Sequence, residues 1–294
     1  MSRPSPSPSP STSPSALAGI RDVLVGTAVE GEREGASSAI GYGLTLAKAA
    51  GAHLTVQSAS WRLSGDDAWL GDFDDEGVAV IDRRLDALAR SIAQRSAGDA
   101  AQAGVICMTE TPSLPYPEIV SRLTERARLH DLTVLDIGAR AFDLDREMIE
   151  KALFHSGRPV IAVPPGHDAF TVRRIMVAWD GSAQAARAAN DALPFLRAAE
   201  AVEIVSVGTE AEIHAEVPGA EFAPHLARHG VNATVNDLPR GESVAATLRA
   251  QAGLFRADMI VMGAYRHSPT REYFLGGVTR SFLRGSPAPL FLAH

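Results

Sequence analysis

The chain has 294 residues, 46% of them hydrophobic and 21% charged, with a net charge of −7 at pH 7. That length suits about two ordinary domains, and the acidic balance excludes a general nucleic-acid binder, which presents a basic face. No apolar run approaches the ~20 residues needed to cross a bilayer, and the single cysteine, Cys107 in VICM, excludes an intramolecular disulfide and reads as a buried small hydrophobe in a reducing, cytoplasmic setting.

Residues 1–19 alternate serine and proline and lack the apolar core of a secretory signal. Such a segment buries too little apolar surface to offset its ordering entropy, so a disordered tail is expected. Residues 20–27 (IRDVLVGT) read as a buried strand, 36–50 as a helix with Ile40, Leu44 and Ala47 on one face, and 54–58 (LTVQS) as a second strand. The acidic stretch SGDDAWLGDFDDEG follows as a loop. Val78, Ile81, Leu85, Leu88 and Ile92 then fall at spacings of 3, 4, 3 and 4, a helical stripe. Strands at 105–109, 132–136 (LTVLD) and 159–164 (PVIAVP), and a helix over 117–130 opened by Pro117, complete the first half.

The second half repeats this order. A strand at 174–179 (RIMVAW) precedes a helical face of Ala186, Ala189, Leu193 and Leu196, kinked at Pro194. Strands at 202–207, 231–235, 259–262 and 288–293 alternate with helices near 220–229 and over 243–255. RDVLVGT answers RRIMVAW, LTVLDIGAR answers DMIVMGAY, and GRPVIAVP answers SPAPLFLA. A period of this length is too long for a solenoid. It predicts two copies of one α/β domain, 20–163 and 171–294, joined by a linker at 164–170. Alternating strands and helices imply parallel sheets with right-handed crossovers, and ligands in such sheets bind beyond the carboxyl ends of the strands.

VAWDGS (177–182), MIVMGAYRHS…LGGVT (259–279) and the paired halves resemble a tandem universal stress protein. The resemblance implies two open parallel-sheet domains, Rossmann-like and similar to adenine nucleotide alpha hydrolases, five-stranded each. It also implies that the last strands, 160–163 and 289–293, pair within the chain as a pseudo-dimer of the two domains. Many members bind ATP or AMP through Gly-x2-Gly-x9-Gly-Ser/Thr after the fourth strand. Glycines there let backbone N–H groups approach phosphate oxygens, and a hydroxyl and a helix N-terminus add donors. By this resemblance Gly263 takes the first glycine and Gly276 the third. Arg266 stands at the second and Gly277 at the Ser/Thr position, with Thr279 supplying a hydroxyl two residues on. Arginine at 266 either adds charge-assisted bonds to phosphate or obstructs the site. Asp180 is implied to reach the ribose, Val207 to lie by the adenine and Met262 to line the base pocket. Asp180 reads equally as a helix N-cap, and Val207 and Met262 as packing residues.

The first half has VGTAVEG where the second has VAWDG, with no aspartate at the turn. From Gly138 to Pro159 is 21 positions, against 26 from Gly263 to Pro289, and Asp143, Asp145 and Glu147 replace the glycines with negative charge. This half is expected to keep the fold without the site. His225 and His229, with His214 upstream, read as solvent-exposed rather than as metal ligands, and the acidic run 66–76 lacks calcium-loop spacing. No Gly-x-Ser-x-Gly elbow or Walker A loop occurs. The expectation is a cytoplasmic, non-enzymatic stress-response protein with one ATP or AMP site in 171–294, no metal, no nucleic-acid or membrane partner, and protein partners. The alternative is a scaffold that binds no nucleotide.

Overall fold

The structure is a computed structural model and describes residues 17, 19–29, 37–63, 75–137, 144–209, 211, 219–264 and 277–294. In the first half, β1 (Asp22–Val29), α1 (Ser38–Ala50) and β2 (His53–Trp61) precede α2 (Asp75–Ala103). Then come β3 (Cys107–Glu110), a two-residue β4 (Ser113–Leu114), α3 (Tyr116–Ala127), β5 (Leu132–Asp136), α4 (Leu144–Ser156) and β6 (Val160–Val163). In the second half, β7 (Arg174–Ala178) leads to α5 (Ala183–Asp191), α6 (Leu193–Ala198) and β8 (Ala201–Gly208). The chain ends with α7 (Gly219–Arg228), β9 (Ala233–Pro239), α8 (Val244–Phe255), β10 (Met259–Gly263), α9 (Gly277–Leu283) and β11 (Leu290–Ala293).

These strands form one continuous sheet in the order β3-β2-β1-β5-β6-β11-β10-β7-β8-β9, with β4 beside β2. The expected count of five in each half therefore differs by β4, whose pairing Ser60–Ser113 extends the first-half edge. Every pairing among the described strands is parallel except β6 with β11, where Leu290 stands opposite Ala162 and Phe291 opposite Ile161. Both strands are fully buried Val, Ile, Leu, Ala and Phe runs. Continuous apolar runs of this kind suit strands covered on both faces. One core lies on the α1 and α5 face, with Val25, Leu46, Ile161, Val177, Phe195 and Phe291. The other lies on the α3, α4 and α8 face, with Leu24, Leu123, Leu153, Leu248, Met262 and Leu292.

Bond patterns repeat between the halves. Asp131 Oδ2 accepts the N–H groups of Arg21 (2.7 Å) and Asp22 (3.0 Å), and Asp258 Oδ2 accepts those of Arg173 (2.9 Å) and Arg174 (2.8 Å). In each case a carboxylate ahead of the fourth main strand pins the entry of the first.

Several expectations need correction. Cys107 is half-buried, not buried, because β3 is the edge of the sheet; its neighbours Ile106 and Met108 are 64% and 61% exposed. The strand expected at 231–235 runs from Ala233 to Pro239, since Val231 N–H still bonds Leu226 O in the turn ending α7. The tail boundary moves too: Leu17 is 6% exposed within the core and its carbonyl accepts Ile20 N–H. Pro194 produces a break rather than a kink, with Ala192 ending α5 and starting α6. Residues 1–16, the acidic run 66–74, Asp143, His214, Arg266 and Gly276 lie outside the described residues.

Candidate functional site

The second half presents its candidate residues along one edge of the sheet. β7 pairs with β8 and β10, and the carboxyl ends of all three open on the same side. Asp180 follows β7 through Trp179, whose N–H bonds Val205 O at 2.9 Å. Gly181 then adopts φ +70, a left-handed turn that glycine takes at no steric cost. The turn delivers Ser182 as the N-cap of α5, its hydroxyl accepting Ala185 N–H at 3.1 Å. Asp180 is therefore not the cap. Its Oδ1 instead accepts the N–H of Ser182 at 3.1 Å and the hydroxyl of Ser182 at 2.5 Å, and the residue is exposed. An exposed carboxylate oriented by the turn beneath it can accept hydrogen bonds from a hydroxylated ligand.

Val207 near the end of β8 and Met262 near the end of β10 belong to one apolar cluster. Ala178, Leu238, Val244 and Val278 join it, each at a strand's carboxyl end or in a helix's first turn. Sequence reasoning missed these four; their signal was position alone, one apolar residue where each strand gives way to its connection. Thr279 is buried in the first turn of α9, behind Gly277. Asp180, Val207, Met262 and Gly263 thus lie at or just beyond the carboxyl ends of β7, β8 and β10, and Gly277 and Thr279 in the first turn of α9.

Gly263 has a second reason to be glycine. A Cβ there would lie 2.5 Å from the backbone nitrogen of Ala185 and 2.6 Å from the carbonyl carbon of Gln184. The first turn of α5 packs directly on this residue. Gly277 differs, since a Cβ there would meet nothing within 4 Å.

The equivalent place in the first half is built over. Asp136 pairs with Val163 as Gly263 pairs with Ala293, so Asp136, and not Gly138 from which the spacing was counted, is the counterpart of Gly263. Its carboxylate accepts the Ser37 hydroxyl at 2.6 Å and the Ala39 N–H at 2.9 Å, at the N-terminus of α1 where the helix dipole favours an acidic group. Val25 stands opposite Val134 as Val177 stands opposite Val261, which makes Ala28 the counterpart of Asp180. The β1–β2 ladder continues to the pair Val29–Ser60, whereas β7–β8 pairing past Val177 adds only Ala178–Val205 on that side. Over this extension lies α2, of 29 residues against 10 for α7, with Leu85 and Ala89 packed on Val29.

The histidines differ from expectation. His225 and His229 are half-buried rather than exposed, in a file of rings where Trp179 stacks on Phe222 at 3.9 Å, Phe222 on His225 at 5.5 Å and His225 meets His229 at 4.7 Å. Arg197 donates to His229 O at 2.7 Å and lies 3.2 Å from its Nδ1, so this ring nitrogen faces a guanidinium. Among the described residues no group of three His, Cys, Asp or Glu is arranged to hold a metal, and no helix is long and apolar enough to cross a membrane.

Residues 171–294 match the Universal stress protein family. No curated protein matches the chain. Among solved structures, a universal stress protein from Archaeoglobus fulgidus is similar at 16% identity and a TM-score of 0.69, covering 92% of this chain and 95% of its own. A functionally unknown protein from Pseudomonas aeruginosa is similar at 14% identity and a TM-score of 0.58, covering 95% of this chain and 94% of its own. At these identities the likeness establishes an α/β fold with a mostly parallel sheet spanning both halves. The family match thus falls on the half of the chain that carries these candidate residues.

Proposed function

We propose that this chain is a non-enzymatic stress-response protein of the cytoplasm that binds one adenine nucleotide, ATP or AMP, in 171–294. The observation that supports the reading is that Asp180, Val207, Met262 and Gly263 fall at the carboxyl ends of β7, β8 and β10, with Val207 and Met262 in one apolar cluster. In this reading Asp180 is the carboxylate for ribose hydroxyls, Val207 and Met262 form an apolar wall for a base, and the segment from Gly263 to Thr279 holds the phosphates. In sequence Gly276 takes the motif's third glycine, and Arg266 stands in place of its second. In this reading 20–163 is a degenerate copy, 164–170 the linker, and the two copies form an intramolecular pseudo-dimer through β6 and β11. In this reading the copy at 20–163 takes no nucleotide; Asp136 bonded to Ser37 and Ala39, and α2 packed on Val29, support it.

A scaffold without nucleotide is the second reading, and Gly263 favours it: packing of α5 accounts for this glycine without any ligand. Titration calorimetry of the whole chain with ATP, ADP and AMP separates the two. Binding of one nucleotide per chain, lost in Asp180→Ala at unchanged secondary structure, is the expected result. No heat at millimolar nucleotide overturns the binding reading and leaves the scaffold.

A further inference from the structure

A cavity of about 210 Å³ opens between α5, α6 and the amino ends of β1, β5 and β6. Ile20, Leu132, Phe195 and Phe291 give it apolar walls, and all four belong to the shared core. Arg158, Arg187, Asp131 and Asp191 bring two charges of each sign to the same space. The duplication supplies an internal comparison, because the frame recurs on the other side of the β6–β11 pair. Asp131 pins the entry of β1 as Asp258 pins that of β7. The Ser156 hydroxyl bonds both backbone groups of Arg158, and the Ser286 hydroxyl those of Ala288. Ser182 caps α5 five residues before Arg187 and nine before Asp191; Ser37 caps α1 five before Tyr42 and nine before Leu46.

The counterpart of the cavity is filled. Tyr42, Leu46 and Ala288 are each at most 1% exposed, and the Phe170 ring meets Tyr42 edge-on at 5.6 Å. On the α5 side two guanidiniums and a carboxylate therefore stand where the other copy packs apolar groups, and the space between them is open. Arg187 is held in place: Nη2 donates to Gly157 O at 3.0 Å, and Nε lies 3.5 Å from Asp191 Oδ2. Arg158 makes no side-chain bond among the described residues. Asp131 gives Oδ2 to the N–H groups of Arg21 and Asp22, which leaves Oδ1 to accept another donor. The formal charges around the cavity cancel, so a ligand that carries both signs complements it better than an anion or a cation. The volume is below that of a drug-sized pocket. We infer that this cavity binds a small zwitterion, a free α-amino acid with an apolar side chain. Arg158 and Arg187 take its carboxylate, Asp191 and Asp131 its ammonium, and the apolar walls its side chain. The site lies apart from the Asp180 edge and does not rest on the nucleotide reading.

Calorimetry of the full chain with L-phenylalanine and L-leucine tests this, with phenylacetate and 2-phenylethylamine as ligands that each carry one of the two charges. At least one amino acid is expected to bind at one per chain, and each single-charge analogue about tenfold more weakly or not at all. Arg158→Ala installs the residue of the filled copy at an exposed position and is expected to weaken the amino acid about tenfold. Arg187→Tyr, which puts the other copy's side chain into the space, is expected to abolish binding at unchanged circular dichroism. If that variant does not fold, the Arg158→Ala result decides. No heat with either amino acid, equal binding of a single-charge analogue, or an Arg158→Ala chain that binds as the unaltered one does overturns the assignment.

Discussion

A methyl group at position 263 has no room. It would press on Ala185 N at 2.5 Å and on Gln184 C at 2.6 Å, both backbone atoms of the first turn of α5. Gly263→Ala is therefore expected to cost about 1–3 kcal/mol by overpacking, read as a lower midpoint in urea, with or without nucleotide present. An unchanged midpoint would mean that α5 does not sit against β10 as described. At the matching place in the first half the residue is Asp136, and there α1 accommodates a carboxylate that bonds Ser37 and Ala39. One register position thus serves two ends. Glycine lets a helix close in, and aspartate holds a helix N-terminus with its own charge.

Among elements, the segment expected as a simple linker is docked along α1. Ser38 donates to Asp168 Oδ1 at 2.6 Å, Phe170 N–H donates to the Thr45 hydroxyl at 2.8 Å, and Gly41 lets Asp168 O approach where a Cβ would stand 2.5 Å away. Tyr42, between them, meets Phe170 edge-on at 5.6 Å, yet its buried hydroxyl has no hydrogen-bond partner. Burial, with a smaller push from Asp258, holds its phenol well above the ordinary value of 10.0. The neutral phenol is thus favoured in the folded chain, and its contribution is complete below pH 10 and lost as pH rises further, because the unfolded chain then releases the proton first. Tyr42→Phe removes an unpaired buried hydroxyl, so stability at pH 7 is expected to stay level or rise by up to about 1 kcal/mol. The alkaline fall in thermal midpoint should flatten in parallel. A marked loss at pH 7 would show that the hydroxyl has a partner.

For the whole molecule, the file Tyr42–Phe170–Phe195–Phe291 runs from α1 through the linker to α6 and β11, with successive ring distances of 5.6, 5.9 and 5.5 Å. Together with the antiparallel pair β6–β11 it makes the two halves share one core. Thermal unfolding followed by calorimetry is expected as one cooperative transition, and two resolved transitions would show halves that fold independently. The amino-acid sequence by itself determined the alternation of strands and helices and the repeated order of segments in the two halves. These are local patterns, written in hydrophobic period, turn glycines and repeated segments. Tertiary structure alone decided the rest. Ser182 rather than Asp180 caps α5 because cap geometry depends on a turn at Gly181 that spacing does not reveal. Cys107 is half-buried because β3 falls at the sheet edge, and strand order is not a property of any one strand. The bonds of Asp136 to α1, the packing of α2 on Val29, and the hold of Arg249 on α9 join residues more than 30 positions apart. Such contacts exist only once the sheet has brought those segments together.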